Sequence, residues 1–107
     1  DLLLGAGADP KARNDDGESV LMWAALSGNA TTAQRLLNEG ADPGVADLKG
    51  NLPLHGAADG GYADVVRLLL PGTPHPGARN REGISARGYA QRRGYKEVEE
   101  LLERFGE

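Results

Sequence analysis

Cysteine is absent from this chain, which removes both a disulfide framework and any thiolate zinc site, and leaves the redox compartment open. Aromatic residues are few, with one Trp, three Tyr and one Phe. A core built here must draw on Leu, Ala and Val, which suit closely stacked helices better than one large irregular interior. No stretch approaches the ~20 apolar residues of a membrane span. The run Asp1-Leu2-Leu3-Leu4-Gly5 is too short for the core of a signal peptide. Charge of one sign does not dominate either. Twelve basic and sixteen acidic residues leave a net charge of -4, which disfavours a sequence-blind attraction to nucleic acid phosphates.

What is present is an ordinary globular balance, 39% hydrophobic and 26% charged over 107 residues. That is enough for one folded domain and too little for two. The arrangement is more informative than the amounts. Gly17, Gly50 and Gly83 stand 33 residues apart, and so do Gly28, Gly61 and Gly94. Leu36, Leu69 and Leu102 keep the same step, as do Ala24, Ala57 and Ala90, and Pro10, Pro43 and Pro76. Five independent series at one period predict a repeat architecture.

Each unit reads as helix, turn, helix and loop. Short Ala-rich stretches over Ser19–Leu26 and Pro53–Asp59 follow Gly-containing turns and open with Ser or Pro, residues suited to helix starts. Gly28 and Gly61 come next, where glycine can take the positive φ that ends a helix. Ala33, Leu36 and Leu37, then Val65, Val66, Leu68, Leu69 and Leu70, supply helical apolar spacing for second helices. Gly40-Ala41-Asp42-Pro43 breaks the helix before it and leads into an extended loop. One such unit cannot bury both faces of its helices, so neighbours must cover it. The alanines at 24, 25, 57, 58 and 90 keep adjacent first helices close, and larger side chains there would overpack the seam by ~1–3 kcal/mol.

Leu52-Pro53-Leu54-His55-Gly56-Ala57-Ala58 resembles the Thr-Pro-Leu-His-x-Ala-Ala segment of the ankyrin-repeat family, with Leu52 in place of Thr. Gly61 to Leu70 and the Gly-Ala-Asp-Pro runs at Gly7–Pro10 and Gly40–Pro43 match as well, and 33 is the ankyrin period. The resemblance covers nearly the whole chain. It implies an all-α solenoid of stacked helix-turn-helix units with projecting hairpin-like loops. The expected division is a partial repeat over 1–13 and repeats near 14–46, 47–79 and 80–107. Ser19-Val20-Leu21-Met22 and Ser85-Ala86-Arg87-Gly88 are weaker versions of the motif, which predicts less rigid first-helix starts in those units. Three prolines within Pro71–Gly77 replace a Gly-Ala-Asp-Pro passage, stopping the helix before them early and stiffening the loop.

The two ends differ. Glu97, Glu99, Glu100, Glu103 and Arg104 around Val98, Leu101, Leu102 and Phe105 give the last unit the polar outer face of a capping repeat. At the other end Leu2, Leu3 and Leu4 form the tail of a second helix with no first helix before it, so a missing repeat, a partner or self-association is expected to cover them.

Chemistry-bearing residues are sparse. His55 is the conspicuous titratable group. In the family that the sequence resembles, the matching His ties neighbouring loops through backbone hydrogen bonds, and no nucleophile or orienting acid accompanies it here. His75, among prolines, reads as an exposed loop residue. Two His without a cluster make a poor zinc set. Gly5-Ala6-Gly7 and Gly60-Gly61 lack the Lys-Ser/Thr ending of a phosphate loop. The acidic pairs Asp15 with Asp16 and Asp59 with Asp64 suit helix ends and turns. Trp23 is expected to be partly buried between helices. Tyr89 occupies its equivalent place two units later and Gly56 leaves that place empty between them, which predicts a step in the surface. No cofactor and no metal are expected, and the chain is read as non-catalytic.

The resemblance implies a protein partner, and neither nucleic acid nor membrane, held on the concave face of loop tips and first helices. Mapped by the repeat, that face takes Asp15, Asp16, Glu18, Leu26 and Ser27 from one unit. The next gives Ala46, Leu48, Lys49, Asn51, Asp59 and Gly60, and the last gives Arg79, Arg81, Glu82, Ile84, Arg92 and Arg93. Charge runs from acidic to basic along it. The alternative is a structural stack that positions another domain of a longer chain.

Overall fold

The computed structural model describes residues 13, 15, 17–73 and 75–105. The partial unit expected over 1–13, apart from Arg13, lies outside them, together with Leu2, Leu3 and Leu4, the candidate Asp16, and Pro74. Among the described residues six α-helices follow in three antiparallel pairs: α1 (Val20–Ser27) with α2 (Ala30–Asn38), α3 (Pro53–Gly60) with α4 (Ala63–Leu69), and α5 (Ala86–Arg93) with α6 (Lys96–Phe105). Among the described residues the only extended pairings are isolated bridges, Arg13 with Ser19 and Arg79 with Ser85, at the bases of projecting loops. The all-α solenoid expected from the repeat is the observed architecture.

The packing is layered. First helices form one layer, α1 on α3 and α3 on α5, and second helices form the other, α2 on α4 and α4 on α6. Ala25, Ala57, Ala58 and Ala90 are fully buried and Ala24 nearly so, which is what lets the first helices approach. Leu21, Leu36, Leu54, Val65, Val66, Leu69 and Leu102 fill the space between the layers, all within one continuous cluster. On the back, Arg67 pairs with Asp64 at 3.1 Å and with Glu97 of the next unit, exposed contacts worth little individually.

Local sequence explains several of the helix boundaries. The Ser19 hydroxyl accepts from the Met22 amide and the Ser85 hydroxyl from the Gly88 amide, both at 3.1 Å. The two starts expected to be loose are therefore hydroxyl-capped. At α3 Pro53 occupies the first turn, and the His55 ring accepts from the Leu52 amide at 2.9 Å. α4 stops at Leu69, two residues short of where the repeat step from Asn38 would place its end, and passes into a 3-10 turn over Leu70–Gly72. Pro71 cannot continue the helix. The Thr73 hydroxyl takes over, donating to the Leu69 carbonyl at 2.7 Å.

The glycines that close the first helices also make room for aromatic rings. Gly28, at φ 71°, lies under the Tyr62 ring, so that an added Cβ would come within 2.5 Å of it, and Gly61 lies likewise under Tyr95 at 2.9 Å. Gly94 has the same left-handed geometry at φ 75° but no neighbour within 4 Å. Alanine at Gly94 therefore carries only the left-handed cost, ~1–2 kcal/mol. Gly28→Ala carries that cost and must also displace Tyr62. Chemical denaturation of the two variants should show Gly28→Ala to be the less stable, and equal losses would mean that the Tyr62 contact contributes nothing.

Candidate functional site

The loops that precede α3 and α5 are built by the same device. Asp47 Oδ1 accepts from the amides of Lys49 and Asn51, both at 2.9 Å. Asn80 Oδ1, one repeat later, accepts from Glu82 at 2.9 Å and Ile84 at 3.0 Å. These bonds hold the tips in tight turns, where Gly50 and Gly83 take φ 80° and 79°. Neighbouring tips are tied directly. The Arg81 amide donates to the Lys49 carbonyl at 2.9 Å, and Asn80 Nδ2 donates to Asn51 Oδ1 and to the Tyr89 hydroxyl, each at 2.8 Å. Arg13 does the same on the other side, reaching the Ala46 carbonyl.

His55 completes this tie. Its Nδ1 accepts from Leu52 within its own unit, and Nε2 lies 3.1 Å from the Ile84 carbonyl of the next. That pair of partners requires the neutral tautomer with the proton on Nε2. Both nitrogens are spent on backbone, so the ring has none left for proton transfer to a substrate. Burial, with 2% of the residue exposed, lowers its pKa below 6.5, opposed by the carbonyls of Ile84 and Ala78 and by the Asp47 charge. Tyr89 packs edge-on against it, with centroids 6.0 Å apart.

Between the tips and the first helices lies an open groove with a cavity of about 240 Å³. Met22 and Leu26, one turn apart on α1, form one wall, and Gly56 of α3 lies beside them. Leu48, Lys49, Glu18, Asp47 and Asp59 line it as well. Leu26 is 46% and Leu48 59% exposed, so the groove offers apolar surface to solvent.

The sequence-based candidates divide around this cavity. Glu18, Leu26, Lys49, Asn51 and Asp59 line it, and Arg93 joins its edge by pairing with Asp59 at 3.0 Å. Asp15, Arg79, Arg81, Glu82 and Arg92 are exposed but do not line it, and Ser27 turns its hydroxyl back to the Ala24 carbonyl at 3.0 Å. Trp23 is 51% exposed, more open than the filling role expected of it. The Ala series along the seam leaves no space there for an indole. Met22, Asp47 and Tyr89 line the cavity without having been among the candidates for partner contact. Asp47 carried a signal, since it is equivalent to Asn80, which caps the next loop. Among the described residues no group of three or more His, Cys, Asp or Glu is placed to hold a metal ion, and no helix is long and apolar enough to cross a membrane.

Residues 1–80 match the family model for ankyrin repeats in three copies. No curated protein matches the chain.

The buried histidine gives a pH signature. In the unfolded chain it titrates near 6.5 and in the folded chain lower, so the unfolded state binds more protons in that interval. The contribution is complete above pH 6.5 and fades as the pH falls from there toward the folded value, by at most ~1.4 kcal/mol per pH unit. Carboxylates titrate near ~4. Urea unfolding of the native chain between about pH 7 and 5.5 should lose stability faster than that of His55→Gln. Parallel slopes would show that the ring is not held neutral.

Proposed function

The chain belongs to the ankyrin-repeat family, whose members serve generally as protein interaction modules and are typically non-catalytic. From that premise we propose that it binds a protein partner along the concave groove of loop tips and first helices. The supporting observation is the groove itself, where Leu26 and Leu48 are held half-exposed on a scaffold of buried alanines and tied loops. A rigid apolar strip rimmed by charge is the anatomy of a binding surface.

The charge of the loop tips sets the polarity of the partner. Equivalent tip positions carry Asp15, Leu48 and Arg81 in successive units. Glu18 and Asp47 edge one end of the strip, and Arg79, Arg81, Arg92 and Arg93 stand toward the other. A segment basic at its first end and acidic at its second lies along this face with its charges matched, which raises the association rate more than the affinity.

The test is to isolate binding proteins on the immobilised chain and titrate them against the native protein and the double variant Arg92→Glu, Arg93→Glu. Losing the exposed Asp59 pair costs the fold less than ~1 kcal/mol, and circular dichroism verifies that the variant is folded. Binding should weaken about three- to ten-fold at low ionic strength and converge with the native value at high salt. Equal affinity at every salt concentration would remove the basic end from the interface.

A further inference from the structure

The last unit departs from the two before it at four related places. Residues 21, 25, 33 and 37 of the first unit are Leu, Ala, Ala and Leu, and their equivalents 54, 58, 66 and 70 in the second are Leu, Ala, Val and Leu. The first three of each set are fully buried, and Leu37 and Leu70 pack partly buried against the core. In the last unit the same places hold Arg87, Gln91, Glu99 and Glu103, each half-buried or exposed. Other core places do not change, since Ala90, Val98 and Leu102 stay buried like Ala57, Val65 and Leu69. These unchanged residues face their own unit or the one before it, and the four that change face the place of a following unit. Residues 87 and 91 form an i, i+4 stripe on α5, and 99 and 103 another on α6, so the four make one end face.

That face is closed by polar contacts between its own two helices. Arg87 Nη2 lies 3.3 Å from Glu103 Oε2, and Gln91 Nε2 donates to Glu99 Oε2 at 3.2 Å. Glu97, which the sequence groups with the same outer face, turns instead to Arg67 of the preceding unit. The backbone keeps the stacking form throughout. Gly94, at φ 75°, has open space where Gly28 and Gly61 carry the rings of Tyr62 and Tyr95. Side chains alone therefore set this end apart. Covering the face would take two carboxylates and a guanidinium out of water, with an amide and not a cation meeting Glu99, a cost that Leu, Ala and Val avoid. Exposed pairs of this kind add little to stability. We propose that the outer face of α5 and α6 is a built terminus, which refuses both a further stacked unit and the end of a second copy of this chain.

Sedimentation velocity over a concentration series tests this on the whole chain. The variant Arg87→Leu, Gln91→Ala, Glu99→Val, Glu103→Leu gives the end face the residue types of the second unit. The control Gln34→Leu, Arg35→Ala, Glu100→Val, Arg104→Leu introduces the same four types at exposed places of α2 and α6 outside the face. Circular dichroism verifies that each is folded, and Arg87→Leu with Glu103→Leu takes the place of the fourfold variant if that one is not. The face variant should self-associate at a concentration at least ten-fold lower than either the native chain or the control, because a bare stacking face seeks cover. A face variant that associates no more readily than the native chain, or a control that associates equally, would overturn the proposal.

Discussion

The close packing of first helix on first helix through buried alanines is what the loops and the groove of this molecule require. Ala24, Ala25, Ala57, Ala58 and Ala90 let α1, α3 and α5 lie close enough for their loops to meet tip to tip. Only at that spacing can the Arg81 amide reach the Lys49 carbonyl, or a single imidazole bridge Leu52 and Ile84. The same spacing brings Tyr62 over Gly28 and Tyr95 over Gly61. Small residues in the seam thus fix the register of the loops, and the loops make the groove. The dependence runs one way, because added methylenes would overpack the seam by ~1–3 kcal/mol and shift the loops that form the groove.

Much of this was legible in the spacing of residues. Glycines, alanines and leucines recurring at one step fix which positions face a neighbour, since a stacked unit repeats its burial as it repeats its sequence. The early end of α4 was equally plain, because Pro71 has no amide to donate. The exposure of Trp23 was not. Local pattern places it between Met22 and Ala24, but its environment is decided by how tightly α1 meets its neighbours, a tertiary quantity. The role of Asp47 was hidden for a related reason. An acidic residue before a glycine suits a solvated turn as well as a cap, and only the fold shows its carboxylate holding Lys49 and Asn51.

The groove is where the repetition lapses. The seam series Ala24, Ala57 and Ala90 keeps its residue type from unit to unit, whereas equivalent groove positions run Trp23, Gly56 and Tyr89, or Asp15, Leu48 and Arg81. A residue held constant by the stack serves the stack. Positions that differ between units with the same order of helices are free of that demand, and here they set out a cavity, an apolar strip and a gradient of charge. Even the conspicuous His55 belongs to the constant part by its bonding, which is why its chemistry is spent within the protein.

The central claim is that the units hold one another up through the seam. Trp23, the single tryptophan, sits in α1 and reports on the first pair of helices, while far-UV circular dichroism reports on all of them. Leu102, 2% exposed in α6, lies in the last pair. Denaturant unfolding of Leu102→Ala, followed by both signals, measures the coupling directly. The account predicts one coincident transition shifted to lower denaturant in both signals, as expected of a cooperative stack. A tryptophan transition left in place while the circular dichroism splits in two would show that the units stand independently, and would contradict it.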